Sequence, residues 1–268
     1  MLPFWLSIAL LSVAQGAVVA VPRFPHTALL VRLRGRRWAV IPPLSVIAFV
    51  FVTRSAEHAS AEGLTYLALV AVPLLAALAL GWLSPRASPA RALLVLPLFA
   101  LAWADEGGLP GEAAAVALSA LSCVALGALI AAVTPRRWLA AGIFAMAAAD
   151  TTLVVLDLLQ RPNNALNEAH PVAHLPRLQS AVFGSAVMGY GDLFIAGALG
   201  GLLAVAGVGR APFQGRAAVI AAILALSFDL LFFFVNELPA TVPVALTLLL
   251  LCLARAPAPV PARSGAAS

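Results

Sequence analysis

Lysine is absent from this sequence, cysteine occurs only twice, and just 10% of the residues carry charge. Each scarcity excludes something. Cys123 and Cys252 both lie in apolar runs, so there is no disulfide framework and no cysteine metal site. Both are expected to be buried as small hydrophobes. So little charge excludes the solvated surface of a water-soluble domain of 268 residues. No nucleotide-binding loop, nucleophile elbow or HExxH motif is present. No metal or cofactor is expected. All 16 basic residues are arginine, and the net charge is +5. A basic balance suits nucleic acid. Here the arginines stand in short clusters between apolar runs, which points to a lipid bilayer as partner instead.

What the chain has is apolar length. Hydrophobic residues make up 63%, and the mean hydropathy is +1.02. A soluble core of this size cannot hide that much apolar surface, but a bilayer can. A helix needs about 20 apolar residues to cross the hydrocarbon core. Punctuation by charge and by Pro/Gly clusters predicts nine spans: 2–21, 38–53, 64–83, 90–104, 112–134, 138–159, 181–207, 216–237 and 239–254. The expected fold is an all-α polytopic transmembrane bundle in one domain, 1–255. Residues 1–134 would form a five-helix scaffold, and 138–255 would hold helices six to nine. Segment two is short and could borrow residues near Leu29. The first run lacks a basic n-region and reads as a span, not a signal peptide. The Pro/Ala/Ser-rich tail, 256–268, reads as disordered.

Loop charges give an orientation, because positive residues stay on the cytoplasmic side. One alternating set of loops, with the tail, holds 13 arginines: Arg23, Arg32, Arg34, Arg36, Arg37, Arg86, Arg91, Arg136, Arg137, Arg210, Arg216, Arg255 and Arg263. It holds no acid. The other set holds Arg54, Arg161 and Arg177 together with Glu57, Glu62, Asp105, Glu106, Glu112, Glu168 and Glu237. The pattern predicts an odd number of spans, the N-terminus outside and the C-terminus in the cytoplasm.

Four acids remain inside the apolar segments: Asp150, Asp157, Asp192 and Asp229. A carboxylate at mid-bilayer costs about 2.5–3.5 kcal/mol on the mild insertion scale, so such residues are functional candidates. Asp150 lies ten residues before the expected end of segment six, and Asp192 eleven after the expected start of segment seven. At about 1.5 Å per residue both sit roughly 15 Å deep. Asp157, one heptad from Asp150, would face a similar direction nearer the surface. Two close carboxyls in low dielectric share a proton, and such a pair can activate water. The bland reading is a proton relay or a packing role in a transporter. His170 and His174, in the loop after segment six, read as solvated, because Pro171 and Pro176 break a helical metal-ligand spacing.

Gly189-Tyr190-Gly191-Asp192 removes side chains beside one of these acids, which admits a backbone at close range. Its bland reading is tight helix packing through small residues. Pro239-Ala240-Thr241-Val242-Pro243 opens the last segment. The two prolines fit either unwound backbone or an ordinary helix start.

Together these residues resemble the GxGD intramembrane aspartyl proteases, the presenilin and signal peptide peptidase group. Gly189 to Asp192 matches that group's Gly-x-Gly-Asp motif. Pro239-Ala240 matches two residues of its Pro-Ala-Leu motif, with Thr241 in place of Leu. The resemblance covers roughly 138–245. It implies nine helices, with Asp150 and Asp192 as catalytic residues. Gly189, Tyr190, Gly191, Pro239, Ala240 and Thr241 would contact substrate. It implies single-pass transmembrane helices or signal peptides as substrates. The group's first aspartate usually follows Tyr, whereas Asp150 follows Ala149 and Asp157 follows Leu156, so Asp157 remains a runner-up. Phe194 argues against the related prepilin peptidases, which commonly carry Lys there. The rival readings are a proton-coupled transporter and an inactive relative.

Overall fold

The computed structural model describes residues 2–23, 30, 32–55, 57–205, 211–235 and 237–254. The predicted tail, Arg210 and the stretch around Leu29 lie outside the described residues. The chain is mostly helical. Helix α1 spans Phe4–Ala20, and α2 spans Ile41–Ser55 after a 3-10 turn, Arg36–Val40. Then come α3 (Glu57–Leu78, continued by a π turn Ala79–Leu83), α4 (Pro89–Ala104), α5 (Leu109–Val133) and α6 (Arg136–Val155). A short polar helix, α7, covers Gln160–Glu168. Strands β1 (Ser180–Phe183) and β2 (Ala186–Gly189) form an antiparallel hairpin with Ser180 opposite Gly189. It leads straight into α8 (Tyr190–Val205). Helix α9 (Ala211–Asp229) runs into a 3-10 turn, Leu230–Phe233, and α10 spans Val242–Leu253.

Among the described residues five stretches are long and apolar enough to cross a membrane: Arg36–Ser55, Ala59–Leu83, Leu109–Val133, Arg136–Val155 and Phe213–Phe233. Four apolar helices are shorter: Phe4–Ala20, Pro89–Ala104, Tyr190–Val205 and Val242–Leu253.

The core sits where α5 and α8 cross. Residues Leu193 to Leu203 of α8 are all buried. Between helices in lipid there is no hydrophobic driving force, so close backbone approach through small residues takes over. A Cβ added at Gly127 would land on the Gly197 carbonyl, one at Gly197 on the Cys123 carbonyl, and one at Gly201 on the Gly127 carbonyl. On the other side, Gly16 lets α1 meet Ala218 and Ala222 of α9. Buried hydroxyls satisfy themselves on the preceding turn, as Thr53 does on Phe49 O, Thr65 on Ala61 O and Thr247 on Pro243 O.

Several expectations need correction. Segment seven is not helical from 181. Gly184 takes φ +61°, the left-handed backbone a two-residue hairpin wants at its first turn position, and the chain folds back on itself there. In the connection before it, α7 packs on α2 and α3. Segment six ends at Val155, so Asp157 is off the helix. It is exposed with φ +53° and does not share the direction of Asp150. Segment nine begins at Val242, leaving Pro239 to Thr241 outside the helix while Pro243 sits in its first turn. Cys123 is buried as expected, but Cys252 is exposed on α10.

Candidate functional site

Asp192 is the third residue of α8, after Gly189 as the flanking residue. Its carboxylate Oδ2 accepts a hydrogen bond from the Gly189 backbone N–H at 3.1 Å. An acid in this place commonly reaches back to the helix-start N–H, and the N-terminal end of the helix dipole favours its charge. Helix chemistry alone therefore explains an aspartate here. It does not explain what faces it.

Asp150 lies five residues before the end of α6 and is only 7% exposed. One turn earlier on the same face is Met146, whose Cε lies 3.4 Å from where a Cβ on Gly191 would be. Helices α6 and α8 thus meet at the glycine beside Asp192. A side chain at Gly189 would stand about 3.0 Å from the Asp192 carboxylate, so only glycine leaves that oxygen open.

The third element is the non-helical stretch before α10. Thr241 is 1% exposed, and its hydroxyl donates to Asp150 Oδ2 at 2.6 Å. Ala240 is held from the other side, because Gln15 Nε2 donates both to the Ala240 carbonyl at 2.9 Å and to the Asp192 carbonyl at 3.1 Å. Asp150, Thr241, Ala240, Gln15, Asp192 and Gly189 therefore form one linked cluster contributed by α1, α6, α8 and the entry to α10.

Tyr190 does not join it. Its hydroxyl pairs with Ser122 Oγ at 2.6 Å, inside the α5–α8 contact. Pro239 is buried beside the cluster. Asp229, at the end of α9, accepts from Ser12 Oγ at 2.7 Å and sits with α1. Asp157 stays outside. Gln15 is outside the residues that the sequence singles out, because it carries no charge; its signal is that it is the lone carboxamide in the first apolar run.

A cavity of about 510 Å³ lies away from the two aspartates, lined by Glu62, Arg161, Asn164, Glu168 and His170 at the α3–α7 corner. His174 pairs through Nδ1 with Glu106 Oε2 at 3.1 Å. Among the described residues no group of three His, Cys, Asp or Glu side chains is placed to hold a metal.

No family model matches this chain. No curated protein and no solved structure is significantly similar to it.

Proposed function

We propose that this chain is an intramembrane aspartyl protease of the presenilin and signal peptide peptidase type, with Asp150 and Asp192 as its catalytic pair. The observation that carries the reading is the linked cluster. Two aspartates from different helices belong to one hydrogen-bonded chain beside a glycine-flanked backbone, and the unwound 239–241 stretch bonds to one of them. The chain would cross the bilayer nine times, with its N-terminus outside and its C-terminus in the cytoplasm. The 13 arginines in one alternating loop set, counted with the tail, support that orientation.

In this reading the pair shares one proton. The charged carboxylate takes a proton from a water molecule as its oxygen adds to the scissile carbonyl carbon. The protonated partner donates to the carbonyl oxygen. The tetrahedral diol then collapses: one diol hydroxyl gives its proton to the second carboxylate, the C–N bond breaks, and the amine leaves with a proton from the first carboxyl, which restores the starting pair. The substrate must be unwound for this, because a helical carbonyl is already hydrogen-bonded and shielded. Strand β2 runs directly into Asp192, and only one of its edges is paired by β1 among the described residues. Its other edge suits an extended segment of a single-pass helix or a signal peptide.

A proton-coupled transporter is the second reading. Asp229 favours it, as a third intramembrane acid, bonded to Ser12, that proteolysis leaves unused. One assay separates the two. Asp150→Ala, Asp157→Ala, Asp192→Ala and Asp229→Ala are each tested for cleavage of a labelled transmembrane substrate in detergent. The protease reading expects the Asp150 and Asp192 variants to be dead and the Asp157 and Asp229 variants to cleave. Full cleavage by Asp192→Ala would sink it.

A further inference from the structure

Gln15 is an oddity in its helix. It is a carboxamide in the apolar helix α1, only 2% exposed. A buried amide without partners costs roughly 2 kcal/mol or more, so its place needs a reason. Its two N–H groups are both spent on backbone carbonyls from distant parts of the chain, those of Asp192 and Ala240. Ala240 precedes α10, so its carbonyl falls outside that helix's ladder. The Asp192 carbonyl, in the first turn of α8, has a second lone pair to offer.

We infer that Gln15 is a positioning residue for the aspartate pair: it pins the first turn of α8 to the unwound 239–241 stretch and so sets where Thr241 meets Asp150. The inference rests on the protease reading above. Thr241 is one residue from the carbonyl that Gln15 holds, and it donates to Asp150 at 2.6 Å. Asp192 itself is the residue at the other end of the clamp. A single side chain on α1 therefore ties together the backbones that carry the two halves of the site. Neighbouring side chains of α1 do related work. Ser12 donates to Asp229, and Ser7 Oγ accepts from the Ser185 N–H at the hairpin turn. Helix α1 thus fixes the elements around the pair without contributing an acid to it.

Removing the clamp leaves both aspartates present but lets the stretch drift. Small displacements of catalytic groups lower turnover more than they lower binding. The test compares wild type, Gln15→Met, Gln15→Asn and Asp192→Ala on one transmembrane substrate, with kcat and KM measured separately. Met keeps the volume and removes both donors. Asn keeps both donors on a stem one methylene shorter. The expected result is a kcat for Gln15→Met about tenfold or more below wild type with KM within about twofold, and a smaller loss for Gln15→Asn. Wild-type kcat in Gln15→Met overturns the inference, as does a loss matched by an equal loss of folded, monodisperse protein. If Gln15→Met cannot be purified folded, Gln15→Asn decides: lower kcat at unchanged KM supports the clamp, and unchanged kcat overturns it. Full cleavage by Asp192→Ala overturns the protease reading and the inference together. A dead Asp192→Ala beside a fully active Gln15→Met overturns only the inference.

Discussion

Thr241 shows what one hydroxyl contributes at this site. The position is buried, and its hydroxyl donates directly to Asp150 Oδ2. A hydrogen bond to a charged group contributes about 1.5–3 kcal/mol, and leaving the carboxylate without it costs a similar amount. Thr241→Val keeps the shape and removes the donor. Its kcat is expected to fall about tenfold to a hundredfold, whereas Thr241→Ser should stay within a few fold, read as initial cleavage rates in detergent. Equal rates for Val and wild type would mean that Thr241 only packs. Residue-scale legibility was uneven. The acids and glycines stand out, since a carboxylate in an apolar run is costly unless something holds it. The hydroxyl at Thr241 stands out only as a departure from a motif, and Gln15 only as the lone carboxamide of its run. Neutral polar side chains cost little enough in the membrane that their presence alone does not mark a site.

At the scale of elements, the α5–α8 crossing is the contact on which the site depends, since α8 carries Asp192 and α5 anchors the hairpin. Glu112 of α5 accepts from the Gly184 N–H at 2.6 Å, which ties the turn to the head of the core helix. Backbones approach so closely at Gly127, Gly197 and Gly201 that a side chain must push the helices apart. Gly197→Val is expected to destabilise the fold by about 1–3 kcal/mol, the usual cost of overpacking. Gly63→Ala meets nothing within 4 Å and should be neutral or slightly stabilising, as Ala is the better helix former. Thermal unfolding in detergent compares them, and an unshifted midpoint for Gly197→Val would mean the helices can separate freely. The hairpin was hidden in the sequence for a definite reason. Residues 180–207 form one continuous apolar run, and periodicity cannot tell a short buried strand from the start of a helix. Gly184-Ser185 was the available signal. A segment seven that is helical from 181 and a segment six that runs to 159 both put the aspartates deeper than the structure does. Asp150 is five residues from its helix end, and Asp192 is the third residue of its helix.

For the whole molecule, the apolar runs were the most legible feature, because hydropathy fixes which stretches can be helical in lipid whatever they pack against. Every one of the nine predicted segments contains an apolar helix in the structure, five of them long enough to cross alone. The shortest, α10, has 12 residues, about 18 Å at 1.5 Å per residue, less than the hydrocarbon core. Its unwound 239–241 entry makes up part of that length, and such backbone is tolerated only where protein or water covers it. Orientation is the property that length cannot supply, and the arginine partition is what the proposed orientation rests on. The hairpin turn joins an end of the molecule that carries Glu106 and Glu112, while Arg86 lies at the π-turn end of α3. The two ends should therefore face opposite sides of the membrane. In a Cys252→Ala background, with Cys123 buried, Ser185→Cys and Arg86→Cys each place one reactive thiol at an exposed position. A membrane-impermeant maleimide is expected to label Ser185→Cys in intact cells and Arg86→Cys only after permeabilisation. Labelling of both from outside would remove the odd number of spans between these ends. Reversed labelling would keep the spans but place the hairpin turn, and the Asp192 end of α8 that follows it, on the cytoplasmic side.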